Sequence, residues 1–312
     1  MRVPVFSARD VETAVSPLEA YAAVRDAFVA YARGEWSMPP KVYVANHPAG
    51  DFRAMPALGG GHALLKWVTS FPANPARGLP TVTGLVLLSD AEDGRLLAVL
   101  DAAAVTALRT AAAAALAADT LCRPGASTYA VVGCGVNGAE TARMFVARGA
   151  KPVVWDVDET RRHEVAERLG VDVASSADDA LACDVVATVT PGREVLYTPG
   201  SLQPGQHVSL MGADGPGKAE VAIEELHRAT LFCDDWEQAS HGGELAGGAE
   251  ARVVTAADVT ELGAVLTGTA RGRREADDVT LFDSTGLAIQ DLAIAKAALA
   301  KRSELDVSEI RL

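Results

Sequence analysis

The stretch Gly133-Cys134-Gly135-Val136-Asn137-Gly138 follows a short apolar run, Tyr129–Val132, and opens a segment of helical period, Ala139–Ala147. In that setting the three glycines have separate tasks. The first lets the chain turn sharply, the second lets backbone approach a pyrophosphate, and the third lets helix pack closely on strand, with the helix N-terminus facing the anion. The spacing therefore predicts a dinucleotide site at Gly133, Gly135, Val136, Asn137 and Gly138. Asp156 ends the next predicted strand, eighteen positions after Gly138, where a carboxylate can accept from a ribose 2′-hydroxyl. NAD is the expected cofactor, because a 2′-phosphate would meet Asp156 and Asp158 with like charge. Arg161 and Arg162 keep NADP as the alternative. Thr110 and Thr188 complete the expected cofactor set.

The rest of the chain supports this reading. Tyr129–Val132, Pro152–Trp155, Val185–Val189, His207–Met211 and Leu231–Asp234 are short, nearly continuous apolar runs, as strands buried on both faces of a parallel sheet should be. Helical segments alternate with several of them, which predicts a Rossmann-type doubly wound α/β domain. The N-terminal third reads differently. Ser16-Pro17-Leu18-Glu19 is a helix start with a capping box and Pro at the first helical position, and that helix should reach about Gly34. Lys41–Val44, Phe52–Met55, Leu64–Val68, Thr81–Leu88 and Leu96–Leu100 are β-prone runs separated by Gly, Pro, Asn and Asp, which predicts antiparallel strands. Asp90 to Gly94 forms a hairpin connection between the last two. Asp101 can cap an Ala-rich helix that Arg123-Pro124-Gly125 stops, placing a domain boundary near 122. A last run, Val279–Phe282, leads through Asp283-Ser284-Thr285-Gly286 into a helix from about Leu287 to Arg302, whose packing the periodicity leaves open.

The 312 residues carry 28 Lys plus Arg against 41 Asp plus Glu, a formal net charge of −13. Such a balance opposes nucleic-acid and anionic-membrane partners. With 49% hydrophobic and 22% charged residues, the composition is that of a packed soluble protein. Cys122, Cys134, Cys183 and Cys233 lie far apart with no metal-ligand spacing, so no metal is expected and the thiols read as small apolar side chains. The opening residues show neither the apolar core nor the cleavage signal of a secretory leader, and a reduced, cytoplasmic setting is the expectation.

Several strings together identify a resemblance. They are Met38-Pro39-Pro40-Lys41, Asp51-Phe52-Arg53-Ala54-Met55-Pro56, Leu65-Lys66-Trp67, Asn74-Pro75 with Gly78-Leu79-Pro80, Leu100-Asp101 with Thr106 to Ala111, Gly212-Ala213-Asp214 with Gly217 to Glu220, and Ser284 to Ala288. Over essentially its full length the chain resembles the ornithine cyclodeaminase and mu-crystallin family. The resemblance implies a homodimer whose antiparallel α+β domain both binds substrate and forms the subunit interface. It also implies that the last helix folds back onto that domain, giving residues 1–122 plus 286–312 as the substrate-binding and dimerisation domain and 123–285 as the NAD-binding Rossmann domain. Family chemistry passes through an imine at the α-carbon of an amino acid. Lys66 and Arg109 fall at positions that hold the substrate carboxylate or polarise its oxo group, Lys41 falls near a third cationic position, and Asp214 falls at the acid/base position.

These assignments agree with elementary chemistry. A carboxylate entering a closed pocket needs cations and donors. Arg109 offers a planar fork, and Lys66 a compact charge that can sit beside an oxo oxygen. Asp214 follows a predicted strand end, where an α/β sheet presents groups to its ligand crevice. Arg53 is the informative departure, since family members that act on ornithine carry Glu there. A cation about 4 Å from a distal ammonium would cost roughly 4 kcal/mol at an effective dielectric near 20. Arg53 therefore resembles the alanine dehydrogenase branch, and the expected reaction is NAD(H)-dependent interconversion of a small L-amino acid, alanine first, with its 2-oxo acid and ammonia. The alternatives are a cyclodeaminase or cyclic ketimine reductase, and a non-catalytic NAD(P)H-binding protein of the mu-crystallin kind. His207 reads as a satisfied strand-end histidine, and Trp67 and Trp155 as packing residues.

Overall fold

The structure, a computed structural model, describes residues 2–213, 215 and 217–312. The chain divides into two compact units, Met1–Arg109 with Leu287–Leu312, and Thr110–Gly286. They join inside the helix Ala102–Leu121, whose start is capped by Asp101 Oδ1 accepting from Ala104 N–H at 2.8 Å.

The first unit is built on strands β1 (Arg2–Phe6), β2 (Val42–Asn46), β3 (Gly50–Gly59), β4 (His62–Ser70), β5 (Val82–Asp90) and β6 (Leu96–Asp101). With the C-terminal strand Ser308–Arg311 they form one sheet in the order Ser308–Arg311, β1, β6, β5, β4, β3, β2, antiparallel throughout except for β1 beside β6. Alternation along β4 sets its two faces: Leu64, Lys66 and Val68 are buried, while Leu65 and Trp67 are exposed. Gly84 is needed where β5 crosses β4, since a Cβ there would lie 2.2 Å from the Trp67 carbonyl oxygen. Ser16 caps the helix Pro17–Ala32 in the expected capping box. The last long helix, Ala288–Ala300, packs against that helix and against β3 and β4. It is buried almost all round, so this helix belongs to the core of the unit.

The second unit holds a parallel sheet of β7 (Tyr129–Val132), β8 (Pro152–Trp155), β9 (Val185–Thr188), β10 (His207–Leu210), β11 (Thr230–Cys233), β12 (Val259–Glu261) and β13 (Thr280–Asp283). The order is β12, β11, β13, β10, β9, β7, β8, and a bridge between Val154 and Val173 extends the β8 edge. The direction of winding reverses between β7 and β9, the place where an open α/β sheet receives ligands at its carboxyl ends. The expected fold class, a doubly wound parallel sheet with an antiparallel α+β companion, is the one found.

His207 shows how this sheet is closed. It is fully buried, with Nδ1 2.9 Å from Thr280 Oγ1 and Nε2 3.0 Å from Ser209 Oγ, so both ring nitrogens are satisfied within the sheet. Burial, with a smaller push from Arg273, drives its pKa down from 6.5 to about 3. The unfolded chain therefore takes up a proton that the folded one refuses, and stability falls as pH drops below 6.5. Urea titrations should show stability falling as the pH is lowered from 6.5 to about pH 5, and His207→Gln should lose that part of the pH dependence.

Candidate functional site

The glycine loop sits between β7 and the helix Val136–Ala147, with Gly135 as N-cap. Gly133 takes a φ of 102°, and a Cβ on it would meet the Val189 carbonyl oxygen at 2.6 Å. A Cβ on Gly138 would come within 1.7 Å of the Gly133 carbonyl oxygen. Two glycines are thus required by the chain itself. Gly135 is different: a Cβ there meets nothing within 4 Å, so open space lies where a pyrophosphate approaches a helix N-terminus. The helix is 12 residues long and presents Val136 exposed in its first turn.

Asp156 follows β8, and its carboxylate is fixed by two backbone donors, Cys134 N–H to Oδ2 at 2.6 Å and Asp158 N–H to Oδ1 at 2.8 Å. Each oxygen keeps lone pairs for a ribose hydroxyl. The two arginines that would serve a 2′-phosphate are engaged: Arg161 lies 3.2 Å from Asp158, while Arg162 reaches Glu159 at 3.3 Å and stacks 4.3 Å over Trp155. These residues fit NAD. Thr110 is buried and its hydroxyl has no partner among the described residues, the state of a donor that a ligand completes. Thr188, at the end of β9, donates its hydroxyl to Glu220 at 2.6 Å.

Glu220 is a buried acid that no periodic sequence pattern marks. It accepts from the Thr188 and Thr190 hydroxyls and from Gly212 N–H at 3.1 Å, and burial raises its pKa. Glu244 in turn accepts from Glu220 N–H and Val221 N–H, and burial pushes it up to about 8. Asp214, the expected acid/base residue, lies outside the described residues. Asp234 accepts from the Ser284 and Thr285 hydroxyls and from Gly286 N–H, which holds the turn ahead of the last helix.

The first unit gathers the expected substrate cations. Lys66 is buried on the inner face of β4, opposite Met55 of β3. Its Nζ donates to Asp291 Oδ1 at 2.8 Å, lies 2.7 Å from Oδ2, and reaches Thr106 Oγ1 at 3.3 Å. Arg109 places Nε 3.6 Å from Asp291 Oδ1 and Nη1 3.5 Å from Gln290 Oε1. Arg53, two places along β3 from Met55, shares that inner face and forks onto Asp51, with Nε to Oδ1 at 2.6 Å and Nη2 to Oδ2 at 3.3 Å. Lys41 is half-buried at the entrance to β2. Lys66, Arg109 and Arg53 bring three cations to this unit, with Asp291 and Asp51 beside them. Arg109 Nε and Gln290 Nε2 are both buried donors without a hydrogen-bond acceptor among the described residues. Spare buried donors beside cations are what a carboxylate ligand satisfies.

Burial lowers the Lys66 pKa to about 8, helped by the charges of Arg109 and Arg53, while Asp291 opposes the fall. Asp291 and Gln290 were not singled out in the sequence. The available signal was a pair of polar residues in the first turn of a helix whose other residues, Lys296 apart, are apolar.

The parallel sheet, its glycine loop and the carboxylate that follows β8 define a dinucleotide-binding protein of the Rossmann class. A profile of the ornithine cyclodeaminase/mu-crystallin family matches residues 2–304. The chain is 40% identical over 309 residues to an alanine dehydrogenase of Archaeoglobus fulgidus, covering 95% of this chain and 94% of that one. It is 35% identical to a Delta(1)-pyrroline-2-carboxylate reductase of Paracoccus denitrificans over 74% and 76% of the two chains. It is 32% identical to an ornithine cyclodeaminase of Agrobacterium tumefaciens over 83% and 74%. Among solved structures, an archaeal alanine dehydrogenase dimer with bound NAD superposes with a TM-score of 0.94 at 39% identity, covering 100% of both chains. The iminosuccinate reductase of Paracoccus denitrificans in complex with NAD+ gives 0.89 at 28% identity, again over 100% of both. The chain belongs to the ornithine cyclodeaminase/mu-crystallin family.

The glycines separate folding from binding. Gly135→Ala should fold with an unchanged melting temperature yet bind NADH more than about tenfold more weakly, by fluorescence titration. Gly138→Ala should destabilise the protein itself by about 2 kcal/mol or more, read as a lower melting temperature. Equal effects of the two on stability would remove the ligand-facing role of Gly135.

Proposed function

We propose that this protein is an NAD(H)-dependent oxidoreductase that interconverts a small L-amino acid, alanine first, with its 2-oxo acid and ammonia. The observation that carries this reading is the grouping of Lys66, Arg109 and Arg53 with buried spare donors on Arg109 and Gln290, and a cation, not an acid, at position 53. The relatives support the reaction class, since one is an alanine dehydrogenase and others are an iminosuccinate reductase and a pyrroline-2-carboxylate reductase.

In this reading Arg109 takes the substrate carboxylate through its fork, and Gln290 adds an amide donor. Lys66 in its charged form polarises the oxo oxygen and stabilises the negative charge that develops there as ammonia adds. Asp214 moves protons at the reacting nitrogen and at departing water. Bound NADH supplies the hydride that reduces the imine carbon. The balance is 2-oxo acid, ammonium, NADH and one proton giving amino acid, NAD+ and water. Gly133, Gly135 and Gly138 form the cradle for the cofactor, Thr110 adds a buried hydroxyl, and Asp156 meets the ribose.

A homodimer belongs to the same proposal. The outer face of β2 to β5 exposes Val42, Val44, Leu65, Trp67 and Leu85 side by side, with Trp67 stacked on Phe52 at 5.7 Å. A continuous apolar face of this kind is characteristic of an interface, and the archaeal relative is described as a dimer.

Following NADH oxidation with pyruvate plus ammonia, oxaloacetate plus ammonia and a cyclic ketimine, while assaying proline formation from ornithine, tests the reaction. Pyruvate with ammonia should exceed the ornithine reaction by about a hundredfold or more in kcat/KM. Dominant proline formation would overturn the proposal. For the assembly, Trp67→Asp should convert a dimer to a monomer in sedimentation experiments, with unchanged sedimentation arguing against this face.

A further inference from the structure

We propose that Asp291 is a positioning residue for the substrate pocket: its carboxylate, delivered by the C-terminal helix, keeps Lys66 cationic and directs its free N–H at the substrate. The inference rests on the proposed substrate role of Lys66.

Lys66 is a fully buried ammonium with two other cations, Arg109 and Arg53, close enough to disfavour its charge. Left alone, such a group deprotonates rather than remain charged in an apolar interior. The groups that face it come from three directions: Asp291 from the helix Ala288–Ala300, Arg109 from the helix Ala102–Leu121, and Arg53 from β3. Asp291 is the single anion facing Lys66 among the described residues, and Asp51 pairs with Arg53 at 2.6 Å. Asp291 is fully buried, so its attraction for Lys66 is little screened by water. It also sits in the first turn of its helix, where the macrodipole favours an anion.

The geometry does more than neutralise. An ammonium has three donors. One points at the Asp291 carboxylate, whose Oδ1 and Oδ2 lie 2.8 and 2.7 Å from Nζ, and one goes to Thr106 Oγ1, which leaves a third for an incoming oxygen. Arg109 Nε, 3.6 Å from the same Oδ1, is drawn toward Asp291 without bonding to it. A single carboxylate therefore orients both cations proposed to meet the substrate.

The test is direct titration of Lys66 by the chemical shift of 13Cε-labelled lysine, assigned by comparison with Lys66→Met. In the wild type the midpoint should lie near 8. In Asp291→Asn it should fall by more than about 1 pH unit, and the KM for the best 2-oxo acid at about pH 7.5 should rise more than about threefold, recovering as the pH is lowered, with NADH affinity unchanged. A purely structural role would lower the melting temperature and leave the midpoint in place, and a shift smaller than this would overturn the proposal. If Asp291→Asn does not fold, Asp291→Glu keeps the charge: a midpoint at or above about 7.5 supports the inference, and a lower one overturns it. The titration needs no turnover, so failure of the pyruvate reaction would count against the proposed function while Asp291 was still tested.

Discussion

A lysine ammonium buried on the inner face of a sheet is the constraint on which the first unit is arranged. Removing such a charge from water costs several kcal/mol, and a second ion returns that only with close geometry and hydrogen bonds. Lys66 meets the condition through Asp291, and Asp291 arrives from residues 287–312, after the chain has completed the whole parallel sheet. The helix Ala288–Ala300 must therefore pack against β3 and β4, and its apolar sequence, buried almost all round, makes that packing favourable. The ion pair contributes little net stability by itself. What it specifies is where two cations point.

The second unit solves a different problem with the opposite charge. Its loops at the carboxyl ends of the strands have no ladder of their own, and buried backbone N–H groups must find acceptors. Carboxylates supply them. Glu220 takes Gly212 and the Thr188 and Thr190 hydroxyls, Glu244 takes Glu220 and Val221, and Asp234 takes the Ser284, Thr285 and Gly286 turn. Burial raises the pKa values of Glu220 and Glu244, which favours their protonated forms. The chain is acidic overall, yet some of that acidity serves as internal scaffolding and not as surface charge.

Features with a local cause were legible in the sequence. The glycine string, the Ser16 capping box and the Asp101 cap depend on residues within a few positions of one another, and the structure reproduces each. The short strands Arg2–Phe6, Val259–Glu261 and Ser308–Arg311 were not foreseen. A run of three to five residues has too little periodicity to declare itself, and β1 exists because residues from the far end of the chain pair with it. The cationic residues were legible through the family strings, whereas Asp291 was not, because its partner stands 225 positions away. Buried acids carry no periodic signal either, since composition alone places a carboxylate at the surface. The face occupied by Arg53 was a question of register, and register is set by pairing across β3 and β4.

The Arg53 and Asp51 pair refines the expected discrimination against diamino acids. Asp51 draws the Arg53 fork toward itself and lowers its net field, so the roughly 4 kcal/mol of repulsion for a distal ammonium is an upper value. A second effect acts in the same direction. A distal amine entering the pocket would need an acceptor, and among the described residues Asp51 and Asp291 already face cations, Arg53 and Lys66. To take the amine, the pocket would have to break one of those pairs and leave a buried cation uncompensated, which is costlier than losing a surface contact. A substrate with one carboxylate and no second charge satisfies the spare donors and disturbs neither pair. Under the proposed function, selection by charge count would follow from pairs already made, and it would persist even where solvent screens the direct repulsion.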